Sequence, residues 1–490
     1  VIRKNLKELG RATAIYGVGN ISSKLAAFLL IPVYTKFLSI EDVGTIALIE
    51  LVEMFFLGVG SMGIYPAVWR YIGQANEENK RKIIFSGYLG LVVGNLVVLG
   101  LISFGFEQIS KFIGLSSARD YPLIFFILLN VLFQFGGLFL LSLWQFQEKP
   151  RAFVVLSVFQ LIGILGLSVY FVIYLQLGLW GVVIAKSIIL GFVFMISMFT
   201  MLKNYMTVPS LEVFLKLIRF GAPLVLLGLV TPILTLSDRF FLNMFVPLSM
   251  IGIYSINYKF GMLINMLLVV PLQRGLLPMI YKQGLKDEMQ PIYKDTLFYY
   301  SIIGCFIILG ITFFIRPVIA WISSAEYLEA TYIVPVVAAA YLISGFRPFF
   351  TPLVALKDRT DLLGKAAGVG IFICLGLNYF LISQYGITGA AAATILSYTI
   401  FTTLVHGIST KITSMDWGWL RIGKVAALTC AIIAGVKIAG NYWNGSEMIL
   451  GGFGILSYPI LLWLFRIIGE REINGIKSII SFTRNKLSKR

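Results

Sequence analysis

Long apolar runs, each about twenty residues or more, follow one another along the whole chain, and short segments between them carry nearly all of the charge. Such a run crosses the hydrocarbon of a bilayer as an α-helix, because helical backbone donors and acceptors are satisfied within the segment. A spanning β-strand would need about ten residues of alternating character instead, so continuous runs exclude a barrel. Of the 490 residues, 58% are hydrophobic and 13% charged, against roughly 25% charge in a soluble domain. The sequence predicts an all-α polytopic membrane protein with about fourteen transmembrane helices. They are expected at 12–38, 44–69, 83–106, 121–146, 152–176, 179–202, 218–245, 250–272, 296–315, 331–355, 362–383, 387–410, 420–440 and 447–468. The first run exceeds a signal-peptide core and has no small-residue cleavage site before polar sequence, so it is read as a span.

Basic residues set the expected orientation, because Lys and Arg are retained on the cytoplasmic side. With the N-terminus inside, about 30 of the 40 basic residues fall in cytoplasmic segments, among them 70–82, 203–219, 274–294 and 411–424. Only about four (Lys36, Lys111, Arg119 and Arg316) fall outside. Both termini are therefore expected in the cytoplasm, which requires an even number of spans, and the expected location is the inner, cytoplasmic membrane. Segments 1–11 and 469–490 alternate Ile or Leu with Lys and Arg, as in Ile2, Arg3, Lys4 and Ile480, Arg484. They are expected to lie on anionic membrane lipids.

The net charge of +17 does not point to nucleic acid, whose readers gather cations on one soluble face. Cys305, Cys374 and Cys430 lie far apart inside apolar runs, without metal-ligand spacing, and read as packing residues with no metal site. His406 has no second His or Cys nearby and reads as a packing or hydrogen-bonding residue.

A repeat at an offset of about 208 residues organises the chain. Leu38-Ser39 and Gly44 at the second span return as Leu248-Ser249 and Gly252 at the eighth. Gly178-Leu179-Trp180-Gly181 returns as Gly386-Ile387-Thr388-Gly389, and Gln147-Glu148-Lys149 as Lys357-Asp358-Arg359. Six spans per repeat is even, so the halves enter the membrane in the same sense, as in transporters whose lobes rock about a midplane site. The expected divisions are an interfacial segment 1–11, an N-lobe 12–202, a linker 203–217, a C-lobe 218–410, an added helix pair within 411–468 and a basic tail 469–490.

Charges inside spans carry the functional signal, since each costs about 2.5–3.5 kcal/mol or more unless paired or hydrated. These are Lys24, Glu50, Glu53, Lys186, Asp238, Arg239, Lys259, Arg347 and Lys437, the last close enough to a span end to snorkel. A cationic interior suits phosphate or pyrophosphate, with Arg as a bidentate fork and Lys as a point charge. Lys24, Arg239, Lys259, Arg347 and Lys186 are the candidate substrate-binding residues. Glu50 and Glu53, at i,i+3 on one helix face, are candidates for ion coupling or gating together with Asp238. The repeat sets the carboxylate pair opposite Tyr258 and Gly261, which flank Lys259, and an approach of Glu50 and Glu53 to Lys259 on outward closure is expected. For Glu50 and Glu53 a sodium or proton site on the carboxylates alone is the competing reading, and satisfied structural ion pairs are the third. For Asp238 and Arg239 the competing reading is a structural pair, although adjacent helical residues do not face one another.

The Asp238-Arg239-Phe240 run, Gly252-Ile253-Tyr254-Ser255 with Tyr258-Lys259, and Asn378-Tyr379 through Gly386-Ile387-Thr388-Gly389-Ala390-Ala391-Ala392-Ala393-Thr394 carry a resemblance. The chain resembles the polysaccharide transporters of the multidrug/oligosaccharidyl-lipid/polysaccharide (MOP) flippase superfamily, most closely Wzx-type O-unit flippases. The resemblance implies a V-shaped, MATE-like bundle that flips an undecaprenyl-pyrophosphate-linked oligosaccharide, the O-antigen or exopolysaccharide repeat unit, to the outer leaflet. It implies a sodium or proton gradient as the drive, no cofactor, no covalent catalysis and polysaccharide assembly proteins as partners. No Gly-rich Lys-Ser/Thr loop for nucleotide phosphates is present. A lipid II flippase, a multidrug or cation antiporter of the same fold, and a membrane glycosyltransferase or ligase are the alternatives, in that order.

Overall fold

A computed structural model describes residues 28–73, 75–102, 105–115, 121–284, 289–413, 415–442 and 447–469. Lys24, segment 1–11 and the tail from 470 lie outside the described residues. The described residues form helices joined by short turns, with no strand. In order these are α1 (Ile31–Phe37), α2 (Ile40–Gly60), α3 (Ile64–Ile72), α4 (Glu77–Ile102), α5 (Phe106–Phe112), α6 (Tyr121–Phe146), α7 (Pro150–Val169), α8 (Gly178–Tyr205), α9 (Leu211–Phe245), α10 (Leu248–Gly261), α11 (Val270–Gln283), α12 (Gln290–Ile322), α13 (Ile333–Ser344), α14 (Arg347–Ala355), α15 (Thr360–Ile412), α16 (Trp419–Tyr442) and α17 (Glu447–Leu464). Ten helical stretches among the described residues are long and apolar enough to cross a membrane. The protein is a multi-pass α-helical membrane protein, as the apolar runs dictate.

The helices depart from simple rods where the sequence supplies a cause. Expected span 44–69 breaks between α2 and α3, where Met62 and Gly63 turn left-handed with φ of 49° and 63°. Asn95 of α4 repairs the break by donating to the Gly60 carbonyl at 2.9 Å, so the freed acceptor is not left bare. α15 is 53 residues long and holds two expected spans, which turn at Gly386 with φ 54° and ψ −131°. A five-residue π segment, Tyr170–Tyr174, ends α7, and another, Asn265–Val269, joins α10 to α11.

Backbone conformation preserves the repeat. Gly178 and Gly386, paired by the offset, have φ of 56° and 54°, and Glu148 and Asp358, paired by nearly the same offset, have φ of 54° and 56°. A left-handed carboxylate residue is uncommon, and its recurrence at matched positions marks the same tight turn in both halves. The offset also relates two sides of one contact. A Cβ on Gly44 would lie 2.2 Å from the Leu248 carbonyl oxygen, and one on Gly252 would lie 2.3 Å from that of Ile40. Ile40 and Leu248 are themselves offset partners, so α2 and α10 meet in a reciprocal, locally two-fold crossing that only glycine permits. Close backbone approach at small residues is how helices associate where lipid removes the hydrophobic drive.

The chain packs as two compact units. The first comprises the described residues up to Ile256 with Ile322–Tyr327 and Ile371–Thr394. Its core gathers Ile64, Val68, Tyr88, Leu91, Phe135, Phe139 and Leu217 from α3, α4, α6 and α9. The second comprises Asn257–Trp321, Leu328–Gly370 and the described residues from Ile395. Here Tyr300 donates to the Leu342 carbonyl at 2.8 Å, and Gly304 lies so close to Leu342 that an added Cβ would be 2.1 Å away. His406 accepts from the Trp419 indole at 3.2 Å and meets the Phe350 ring edge-on with centroids 4.8 Å apart. Beside this aromatic cluster, the exposed turn after α15 is tied down by an ion pair between Lys294 and Asp416. The hydrogen bond from Lys294 holds the Asp416 carboxyl below the usual carboxylate range.

Candidate functional site

In the first unit the carboxylate of Glu53, on α2, forms an ion pair with the ammonium of Lys186, on α8. The Glu53 side chain is 6% exposed and that of Lys186 28%. Sequence distance hid this pairing, which spans more than a hundred residues. Only one carboxylate oxygen is engaged: Glu53 Oε1 is buried without a hydrogen-bond partner. A buried, half-satisfied carboxylate is energetically poor as a structural device. Glu50 lies one turn earlier on α2 and is half-buried.

A second buried charged pair in this unit is Asp238 with Arg239, 3% and 2% exposed. Adjacent helical residues point apart, yet Asp238 Oδ1 accepts both from the Arg239 backbone N–H and from Arg239 Nη1, each at 2.8 Å. The short Asp side chain folds along the backbone, and the long guanidinium curls back to it. Asp238 Oδ2 accepts from the Tyr254 hydroxyl at 2.6 Å, and Arg239 Nη1 also donates to the Thr235 carbonyl at 3.2 Å. The group is therefore a buried hydrogen-bonded network that ties Asp238, Arg239, Tyr254 and Thr235 together. Tyr254 is the partner that charge counting missed, although it stands in the Gly252-Ile253-Tyr254-Ser255 run. One turn away, Asn378 donates to Ser237 Oγ at 3.0 Å and to Cys374 Sγ at 3.5 Å, and its own Oδ1 is buried without a partner. Cys374 thus belongs to a buried polar cluster.

In the second unit Arg347 opens α14 at the break after α13, directly before Pro348. Its guanidinium lies over the rings of Phe401 and Tyr398, at 4.6 and 5.6 Å, and Nε donates to the Ser344 carbonyl at 3.3 Å. Among the described residues no carboxylate pairs with it, so its full positive charge is held by ring faces and a carbonyl. Lys259 is half-buried between the buried Tyr258 and Phe260, and the Tyr258 hydroxyl meets that of Tyr341 at 3.1 Å. Lys437, expected to snorkel, lines a cavity of about 350 Å³ with Arg316, Phe313 and Met448. No cluster of three His, Cys, Asp or Glu suited to a metal ion occurs among the described residues.

These charges belong to a recognisable scaffold. A family model described as "Polysaccharide biosynthesis protein" matches residues 9–283, more than half of the chain. The chain belongs to the polysaccharide biosynthesis protein family. A relative in Haloferax volcanii, "Probable low-salt glycan biosynthesis flippase Agl15", is 22% identical over 252 residues, which are 50% of this chain and 53% of that protein. This polysaccharide biosynthesis family member thus spans about half the length of that curated relative. Among solved structures, "Lipid II flippase MurJ, inward closed conformation" is similar with a TM-score of 0.74 and 16% identity, over 93% of this chain and 100% of that one. An inward-facing multidrug resistance MATE family transporter of the MOP superfamily gives a TM-score of 0.62 at 13% identity, over 82% and 95% of the two chains. The likeness is one of fold: the helical fold of this polysaccharide biosynthesis protein is similar to those of these two transporter structures.

Proposed function

We propose that this member of the polysaccharide biosynthesis family translocates a polyprenyl-pyrophosphate-linked oligosaccharide from the cytoplasmic to the outer leaflet of the inner membrane. The family match over residues 9–283 carries the reading, and the similarity to a named glycan flippase supports it. Intramembrane charge adds a physical reason: cations within spans are expensive and persist where an anionic substrate or a coupling ion uses them. In this reading Arg347, Lys259, Lys186, Arg239 and Lys24 form the set that meets the pyrophosphate. Glu53, with Glu50 and Asp238, answers to a sodium or proton gradient. Two six-span lobes, 12–202 and 218–410, alternate in access, with helices α16 and α17 as an added pair and both termini in the cytoplasm. The carried glycan is an O-antigen or exopolysaccharide repeat unit, and the protein works with polysaccharide assembly proteins rather than as an enzyme.

The test is translocation in liposomes containing the purified protein, with a fluorescent polyprenyl-pyrophosphate oligosaccharide in the inner leaflet and a membrane-impermeant quencher outside. The expected result is a time-dependent rise in quenched label that empty liposomes lack. New covalent product without any change in leaflet would sink the flippase reading in favour of a glycosyltransferase or ligase. The fold shared with a lipid II flippase makes lipid II the second substrate to load. Faster movement of lipid II than of the oligosaccharide lipid would reassign the cargo.

A further inference from the structure

Within the second unit, residues 360–370 and 395–412 of α15 flank a groove that is nearly all apolar along its length and basic at one end. Its volume is about 530 Å³, inside the ~300–1,000 Å³ range of small-ligand sites. Leu362, Ala366 and Val369 form one wall, at one-turn spacing, and Ile400, Leu404 and Ile408 form the other. Gly407, on the floor, is where the space comes from: a Cβ added there would meet nothing within 4 Å. Lys365 lies near the start of α15 and Lys411 next to its last residue, so the antiparallel stretches bring both ammonium groups to the same end. Both lysines are exposed, and neither forms an ion pair among the described residues. Asp361, the acid nearest Lys365 along the helix, is engaged by Arg359 at 3.3 Å.

Length decides what fits. From Thr399 to Lys411 the groove runs about 18 Å at a rise of ~1.5 Å per residue, close to half of a ~30 Å hydrocarbon core. Its length matches one leaflet, its cations gather at one end, and the rest of its lining is apolar side chains and Gly407 with Thr399 and Thr403. We propose that this groove binds one anionic phospholipid of the cytoplasmic leaflet, its phosphate between Lys365 and Lys411 and one acyl chain along the wall of Leu362, Val369, Ile400 and Leu404. None of the intramembrane charges lines the groove, and the proposal does not depend on the flippase reading. A phospholipid is favoured over a polyprenyl carrier because a groove of about 18 Å has the length of an ordinary acyl chain in one leaflet, about half of a ~30 Å hydrocarbon core.

Binding that favours the folded state raises its thermal midpoint, and physiological salt screens diffuse surface charge. The experiment compares thermal midpoints of the full chain in nanodiscs of phosphatidylcholine with and without phosphatidylglycerol, at physiological salt. The wild type is expected to melt higher with phosphatidylglycerol. Lys365→Gln with Lys411→Gln should remove most of that increment, and so should Gly407→Phe, which fills the groove while both lysines remain. Lys365→Arg with Lys411→Arg should retain it, which shows that the positions tolerate substitution. Lys424→Gln, an exposed cation outside the groove, should leave it intact. An increment untouched by the glutamine pair or by Gly407→Phe overturns the proposal, as does an equal loss from Lys424→Gln. Glycerol phosphate reproducing the increment would make the ligand a free anion, and polyprenyl phosphate doing so where phosphatidylglycerol does not would make it the carrier. Either result overturns the phospholipid assignment.

Discussion

Gly252→Leu is expected to leave little folded protein. The new Cβ alone would sit 2.3 Å from the Ile40 carbonyl oxygen and 3.0 Å from the Gly44 backbone nitrogen. Both are backbone atoms in a helix start fixed by its own cap, where Ser39 Oγ accepts from the Asp42 N–H at 3.0 Å. Neither atom can swing aside as a side chain would. Overpacking of a tight contact costs about 1–3 kcal/mol, occasionally more, and a rigid backbone partner places this change at the top of that range. Gly44→Leu should behave alike, because the crossing is reciprocal. Gly364→Leu is the matched control, since an added Cβ there meets nothing within 4 Å. Thermal midpoints in detergent, read by size-exclusion homogeneity, compare the three. Equal midpoints for Gly252→Leu and Gly364→Leu would show that α2 and α10 do not cross as described.

Asp238→Ala carries the second large effect. The change strips the carboxylate from a guanidinium that is 2% exposed and removes the acceptor of the Tyr254 hydroxyl. Breaking a buried pair by deleting one member costs about 3–5 kcal/mol, because the remaining charge is left uncompensated. Adding Arg239→Met should recover much of the loss, since the price of the single change lies in the orphaned charge. Chemical denaturation in detergent of the wild type, the single variants and the double variant closes the cycle. Independent, additive losses would contradict the coupling of Asp238 and Arg239.

How far the sequence could be read depends on which interactions are local. The all-helical class and most spans among the described residues were legible because apolar run length acts within one segment; most of expected span 12–38 lies outside the described residues. The repeat was legible from short matches, and the left-handed turns at Glu148 and Asp358 give those matches a geometric basis. The charges themselves were easy to see, since each interrupts an apolar run. Their partners were not. Glu53 meets Lys186 across five intervening helices of sequence, α3 to α7, and nothing local to either residue encodes that choice. Asp238 and Arg239 were adjacent in sequence, yet helix geometry argued against a contact that the flexible guanidinium nevertheless makes. Neutral groups were invisible to charge counting: Tyr254 completes the Asp238 network, and Asn378 with Ser237 builds a buried polar cluster. The break at Ser61–Gly63 was written in Gly60-Ser61-Met62-Gly63, but continuous hydropathy masked it, and Asn95 makes it tolerable from another helix.

The claim beneath the functional reading is that the charge at Glu53 is kept within the membrane because transport uses it. Initial rates of glycan-lipid translocation by wild type and Glu53→Gln, measured in the same liposomes under imposed proton and sodium gradients, test it most directly. The amide keeps the shape of the carboxylate and a hydrogen-bond acceptor, but it cannot bind a proton or balance Lys186. The account predicts folded Glu53→Gln protein whose gradient-driven rate falls roughly tenfold or more, the equivalent of about 1.4 kcal/mol in the barrier. A wild-type rate with unchanged gradient dependence would contradict it and leave the Glu53–Lys186 pair a structural contact.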